Sequence, residues 1–277
     1  ERFISRRALL RSMLGRALRS FSQVPLKKLP VAMLLQALAP IIKGFAAPLS
    51  SAHKALLNEV LLPLHRPNEW LQWDRQTPLI SLYHKELAHC IVLLLEKEPS
   101  LAPRCIEVLC THFPQARDAN TPKEVLLIHE ISCFLKFLDL EGFQQVQPTL
   151  MRHMLRLLGS QNAQPIQSVL LFWKEEKFVE LCQRVSDKLV PALLPALLRG
   201  GEIFWNPTVN RMTSLVLEKL EQSNAEVFKE CAERLWGPGG AVPAFEIPEP
   251  APPREEEPID AGRAPDGQQP RQPNIAS

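Results

Sequence analysis

The sequence predicts an all-α protein: an α-α superhelix (α-solenoid) of HEAT-like repeats over residues 1–236, followed by a disordered C-terminal tail over residues 237–277. Three observations carry this expectation. Between Pro148 and Trp236 the apolar residues recur at spacings of three and four. Helix-start signals recur along the chain at a nearly constant interval. The composition changes abruptly at Gly237.

Leu150, Met151, Met154, Leu155 and Leu158 share one helical face, as do Ile166, Val169, Leu170 and Trp173. The next sets are Phe178, Leu181, Cys182, Val185 and Leu189, then Val209, Met212, Val216 and Leu220. Phe228, Cys231, Ala232 and Leu235 close the series. A short helix with one apolar face must cover it with a neighbour, so these segments are expected to stack. Helix pairs start near positions 31, 83, 121, 161 and 205. With Arg66–Pro78 set aside as an insertion, the interval is about 40 residues, in the range of HEAT and armadillo repeats. No stretch reads as a strand.

Taken in order, a helix is expected from Phe3 to about Ser22, then a proline-bounded break to Pro30. Val31–Phe45 is the next helix, kinked at Pro40. Ser50 or Ser51 caps a helix running to about Leu64. Arg66–Pro78 shows no period and reads as an exposed loop carrying Trp70 and Trp73, which either fold back on the array or meet a partner. Helices follow over Tyr83–Lys97 and Leu101–Phe113. Thr121-Pro122-Lys123-Glu124 has the form of a capping box, with Thr121 as cap and Pro122 at the first helical position, opening a helix to about Leu138. Glu141–Leu158 and Asn162–Lys174 come next. Lys177–Arg199 is expected to split at Pro191 and Pro195. Asn206-Pro207 starts a helix to about Glu221, and Ser223-Asn224-Ala225-Glu226 is a second capping box opening the last helix. The tail is rich in Pro, Gly, Gln, Glu and Ala and cannot bury enough apolar surface to offset its ordering entropy. It is expected to be dispensable for folding.

With 277 residues, 45% of them hydrophobic, the chain has material for a sizeable core. A net charge of +2 is too mild to demand nucleic acid. The first residues are lopsided, with Arg2, Arg6, Arg7, Arg11, Arg16, Arg19, Lys27 and Lys28 against Glu1 alone. Such a helix suits an acidic partner or a membrane surface, and a transit peptide has the same bias. The solvated face of a first repeat helix is the simpler reading. The six cysteines form no CxxC pair and fall on apolar faces, which suits a reducing compartment and a cytoplasmic location, with the nucleus second. No run of 18 apolar residues exists, so no membrane span is expected.

No nucleophile elbow, zincin, phosphate-loop or kinase motif occurs, so the chain is not expected to be an enzyme or to hold a cofactor or metal. His84, His89 and Cys90 come nearest to a metal set, but the two histidines miss a shared helical face by one residue. His129-Glu130 beside Cys133 could suggest acid–base work, and a partly exposed helix face explains it better. Phe172-Trp173 and Phe204-Trp205 are expected as core anchors rather than base-stacking platforms, because no basic surface surrounds them.

A run of short blocks in fixed order resembles a known family. Gly44-Phe45-Ala46-Ala47-Pro48-Leu49, His53-Lys54 and Val60-Leu61-Leu62-Pro63-Leu64-His65 are followed by Leu82-Tyr83-His84 with Leu87-Ala88. Phe113-Pro114, Pro122-Lys123-Glu124-Val125, Phe172-Trp173-Lys174 and Phe204-Trp205-Asn206 with Thr208 continue the series. These blocks, over about Leu34–Trp236, are similar to the B-prime family of protein phosphatase 2A regulatory subunits. The resemblance implies an α-solenoid of HEAT-like repeats. It also implies a non-catalytic subunit that docks on a scaffold subunit and a phosphatase catalytic subunit and selects substrates. A generic α-solenoid adaptor with no phosphatase partner is the alternative. The family's N-terminal repeats have no counterpart here, and Pro67–Gln76 and residues near Arg117–Ala119 stand as insertions.

The resemblance further implies a groove between neighbouring repeats that binds short substrate motifs ending in an acidic residue. His53 and Ile41 fall on matching groove positions. Ser50 stands where the family has a cation, and Ala37 where it has a larger aliphatic. The other half of the groove falls near Arg11 and Arg16. Weak motif binding follows from these two departures, and Ser50→Lys with Ala37→Ile is expected to strengthen it.

Overall fold

Asparagine and aspartate side chains start most of the helices. Asn120 accepts from the Lys123 N–H, Asp139 from Gly142, Asn162 from Gln164, Asn206 from Thr208 and Val209, and Asn224 from Val227. Each such acceptor takes one of the four N–H groups a helix start leaves free. The computed structural model describes residues 4–23, 30–67, 69, 71, 74, 76–114, 120–203 and 206–237, with 4, 5, 199–203 and 236 described by their backbone alone. All of them lie in one compact unit, Glu1–Phe245. Trp70, Trp73, Phe204, Trp205, Arg117–Ala119 and the tail beyond Gly237 lie outside the described residues.

Among the described residues the chain is all-α and no strand forms. The helices are α1 (Ile4–Gln23), α2 (Val31–Lys43), α3 (Ser51–Leu56), α4 (His84–Leu95), α5 (Ala102–Thr111) and α6 (Thr121–Leu135). They continue as α7 (Leu140–Leu158), α8 (Ala163–Leu170), α9 (Glu176–Arg184), α10 (Ser186–Ile203), α11 (Pro207–Ser223) and α12 (Ala225–Trp236). They alternate between two layers. In one, α2, α4, α6, α8 and α11 pack in succession. In the other, α1 packs on the segment 57–65, which packs on α5, then α7, α10 and α12. Each element touches its predecessor in its own layer and a partner in the other, which is the helical-repeat arrangement expected from the stripes.

The stripes face the core as expected, with Leu155 and Met212 partly buried and only Leu235 exposed. Ile166, Val169, Leu170 and Trp173 are buried, but Leu235 is 45% exposed. Trp173 lies on a 3-10 turn, Leu171–Lys174, that ends α8. Phe178 of α9 presents edges to Trp173, Phe172 and Phe143 at ring distances of 5.2, 5.4 and 6.0 Å. This four-ring cluster joins α7, α8 and α9, and it accounts for the extra helix α9 between the two layers.

Several local expectations are corrected. The helix at Thr121 is capped by Asn120, with Thr121 as its first residue, because asparagine is the stronger cap. Glu124 does not close a capping box. Its carboxylate reaches Arg156 of α7 at 2.8 Å. Ser223 does not cap α12, since its hydroxyl donates to Leu220 O at the end of α11. The helix after Ser50 is not uniform. Five residues, Leu57–Leu61, form a π turn and Leu62–His65 a 3-10 turn. Pro63 has no N–H for an α-helical bond, and the change of register accommodates it.

Pro191 and Pro195 do not break α10, and the break falls at Val185. Pro191 is exposed and Pro195 half-buried, while Leu189, Val190, Leu193, Leu194 and Leu197 fill the opposite face. On the solvent side of a curved helix the lost bonds can be replaced by water. The loop after Arg66 is not simply exposed. Pro67, Leu71 and Pro78 are buried. Leu71 N–H donates to Thr77 O, and the ammonium of Lys123, itself fully buried, donates to Pro67 O at 2.9 Å.

Trp173→Ala removes the ring that Phe178 packs against. It should cost about 3–5 kcal/mol, read from urea unfolding followed by far-ultraviolet circular dichroism. An unchanged midpoint would show that the four-ring cluster does not bear on stability.

Candidate functional site: the groove between α1 and α3

Ser12, Gly15, Arg16 and Arg19 of α1 recur at three- and four-residue spacings and so share a face. That face meets Ala52, Ala55 and Leu56 of α3 and the following turn, with a cavity of about 270 Å³ between them. Small residues keep the floor open. A methyl group built on Gly15 would sit 3.8 Å from Leu56, so the helices are close but not touching there. Cations stand around the opening. Arg19 is tied to Glu59 at 2.8 Å, with both side chains about half exposed. Arg16 is exposed and forms no ion pair among the described residues.

Arg11 is the best-placed cation. Its Nη1 donates to His53 Nε2 at 2.8 Å. A guanidinium has donors only, so Nε2 must accept and the proton sits on Nδ1. The His53 ring stacks flat on Phe45, with centroids 3.6 Å apart and planes 6° apart. The Arg11 guanidinium lies 5.8 Å from the centroid of the same Phe45 ring. Burial first, and the Arg11 charge second, hold the His53 imidazole below its ordinary range. His53 is therefore neutral near pH 7 and serves to aim Arg11. Its buried Nδ1 has no hydrogen-bond partner.

Arg11 and Arg16 thus line the cavity, and His53, which does not line it, is held against Arg11. Ser50 is the N-cap of α3 and accepts from the His53 N–H at 3.4 Å. Ala37 is exposed on α2, and Ile41 is half-buried against the core. Ala37, Ile41 and Ser50 do not line the cavity. Sequence reasoning does not single out Gly15, Ala52, Ala55 or Phe45. The signal for the first three is the small-residue pattern of two facing helices.

The metal-like set does not assemble. His84 is buried, His89 is exposed, and Cys90 donates its thiol to Leu35 O. No group of three metal-ligating side chains gathers among the described residues. His129 and Glu130 likewise diverge, His129 to solvent and Glu130 into the core. Glu130 is not on a partly exposed face as expected. Its Oε2 accepts from His65 Nε2 at 2.9 Å, and His84 Nε2 lies 3.0 Å away with poor alignment for a hydrogen bond. His65 Nδ1 lies 2.9 Å from Leu62 O, so both ring nitrogens of this buried side chain have a partner. Burial would raise the Glu130 carboxyl, but the charge and hydrogen bond of His65, and then the nearby His84, outweigh it and hold it at about 2. This ionic set ties the turn 62–65, α4 and α6 together. Its carboxylate and the His65 ring are fully buried, which suits a structural role.

No described helix is long and apolar enough to cross a membrane. Residues 1–236 match the family described as protein phosphatase 2A regulatory B subunit, B56 family. Relatives carry the same description. A Caenorhabditis elegans serine/threonine-protein phosphatase 2A regulatory subunit, pptr-1, is 33% identical over 207 residues, covering 75% of this chain and 36% of the relative. The human 56 kDa regulatory subunit delta isoform is 30% identical over 233 residues, 84% of this chain and 36% of its own length. A Schizosaccharomyces pombe 56 kDa regulatory subunit, the delta 2 isoform, is 29% identical over 232 residues, 84% of this chain and 35% of its own length. The chain spans less than half the length of these relatives.

Two half-buried histidines give the fold an acid limit. His112 is held down at about 4 by burial first and then by His65, Lys123 and Arg66, and His153 at about 4 by burial and then Arg156 and Arg152. Unfolded, both would titrate near 6.5. Between these values the unfolded chain binds more protons, so the stability is complete above about 6.5 and is lost as the pH falls toward 4. Glu130 adds its own loss only below about 4.5, its unfolded range. Urea midpoints measured from pH 7 to pH 4 should fall steadily, and His112→Asn with His153→Asn should flatten that fall. An equal slope in the double variant would place the acid sensitivity elsewhere.

Proposed function

The chain belongs to the B56 family of protein phosphatase 2A regulatory B subunits, and from that premise we propose that it is a non-catalytic, substrate-targeting subunit of a serine/threonine phosphatase 2A holoenzyme. The match over residues 1–236, which takes in every helix of the two-layer array, is the observation that carries this reading. A solenoid of this kind offers long surfaces and no catalytic chemistry, which suits a subunit that holds partners in place. Its proposed partners are the scaffold subunit, the catalytic subunit and short linear motifs of substrates. Six free thiols, most of them buried, suit a reducing compartment, and we place the protein in the cytoplasm with the nucleus second.

The α1–α3 groove is the proposed motif site. An acidic residue needs a cation, and an extended peptide needs a slot beside it. Arg11, oriented by His53, is proposed as that cation in place of Ser50, with Arg16 beside it. Ser50→Lys would add a charge and remove the cap of α3, at a cost of about 1 kcal/mol. That cost to the fold accompanies the binding gain expected for Ser50→Lys with Ala37→Ile.

Purified scaffold and catalytic subunits should co-elute with this chain on size exclusion at micromolar concentration. The absence of any complex would refute the proposed role. With an acidic motif peptide as probe, Arg11→Ala should weaken binding by about ten- to a hundredfold, the worth of one charge-assisted hydrogen bond. Retained affinity would remove Arg11 from the site without touching the holoenzyme reading.

A further inference from the structure

The largest cavity described, about 670 Å³, lies between α4 and α6, in the layer that does not carry the α1–α3 groove. Its walls follow from helical spacing. Lys85, Ala88, His89 and Val92 share one face of α4, and His129, Ser132, Cys133 and Lys136 share one face of α6. The floor is apolar, made by Ala88, Val92 and the half-buried Cys133. Burial and the charge of Glu130 raise the Cys133 thiol, so it stays protonated and behaves as a small hydrophobe.

The rim is cationic. Lys85 and Lys136 are exposed and meet no acidic side chain among the described residues. Lys136 rests over the Phe137 ring at 4.9 Å. His89 and His129 stand exposed beside them, against Glu175 alone. Two other cavities differ in charge. The one between the start of α5 and the start of α7 carries Asp139 and Glu141. The one between the 76–81 stretch and the helices α6 and α8 carries no charged side chain. Cations gather at the α4–α6 groove rather than being spread along the layer.

We propose that the α4–α6 groove is a second peptide-docking site, which takes an acidic, extended segment of a partner protein with an aliphatic side chain flanked by carboxylates. The aliphatic group fills the floor at Ala88, Val92 and Cys133, and the carboxylates meet Lys85 and Lys136 across the rim. A nucleic acid is the poorer occupant. The only rings lining the groove are imidazoles, with no Phe, Tyr or Trp to serve as a broad stacking platform, and Glu175 would face a phosphate. The cavity is of a size that small ligands and peptide side chains fill. This site shares no lining residue with the α1–α3 groove, so the two sites can fail independently.

The test uses the full chain and a fluorescein-labelled peptide, Glu-Asp-Leu-Asp-Glu, read by anisotropy, with Gln-Asn-Leu-Asn-Gln as the uncharged control. The acidic peptide should bind, the control should not, and affinity should fall as salt rises from about 50 to about 500 mM. Lys85→Glu with Lys136→Glu should weaken binding by about tenfold or more, with the melting temperature unchanged. Glu175→Lys should strengthen binding, an outcome that loss of folding cannot mimic. Binding that survives the double lysine variant and is lost in Arg11→Ala would assign the peptide to the other groove and overturn the proposal. So would tighter binding of a single-stranded oligonucleotide than of the acidic peptide.

Discussion

No helix in this chain can keep its apolar face covered by itself, and every other feature answers to that constraint. α8 has eight residues and α3 six, lengths at which an isolated helix does not persist in water. Stability comes from stacking. Each element lies on its predecessor in its own layer and on a neighbour in the other. The four-ring cluster around Phe178 is one of these contacts. It shows how an extra element, α9, is absorbed without breaking the alternation, by placing one ring where three others already meet.

The same constraint makes the fold legible. A stripe of apolar residues at three- and four-residue spacing is what a stacked helix must have, so Ile166, Val169, Leu170 and Trp173 announce their burial. The errors come where a side chain has two uses. Thr121 and Ser223 are plausible caps, but Asn120 and Asn224 lie one residue away and take the role. Pro191 and Pro195 look like breakers in a sequence. Their position on the outer face of α10 is a tertiary fact that no local pattern contains. Glu130 is hardest to read, because a charged residue is expected outside unless its partners are known. His65 stands 65 residues earlier.

The candidate site is legible in part. Arg11 and Arg16 line the cavity and His53 touches Arg11, while Ala37, Ile41 and Ser50 are not among the lining residues. The basic bias of α1 is visible in composition, but its purpose is not. A guanidinium held by a neutral imidazole on a phenylalanine face is a pre-aimed cation, and the aiming depends on a stacking contact between Phe45 and His53 across a turn. Small residues at Gly15, Ala52 and Ala55 leave space beside it. Family membership gives this arrangement its meaning. The proposed targeting role needs no reactive groups and is served by a rigid, charged surface.

The buried Lys123 has a consequence of another kind. Its ammonium donates to the carbonyls of Pro67 and Arg66, more than 50 positions upstream, while Glu130 from the same helix holds His65. α4 and α5 lie between these points in the sequence. An array whose parts touch only their neighbours comes apart piecemeal, like a zip. Here two staples run from α6 to the residues just after the π turn and enclose the helices between them. Those helices cannot fray one at a time, because exposing either would first require drawing a buried ammonium and a buried carboxylate out of their settings. The middle of the array is thereby tied into one block.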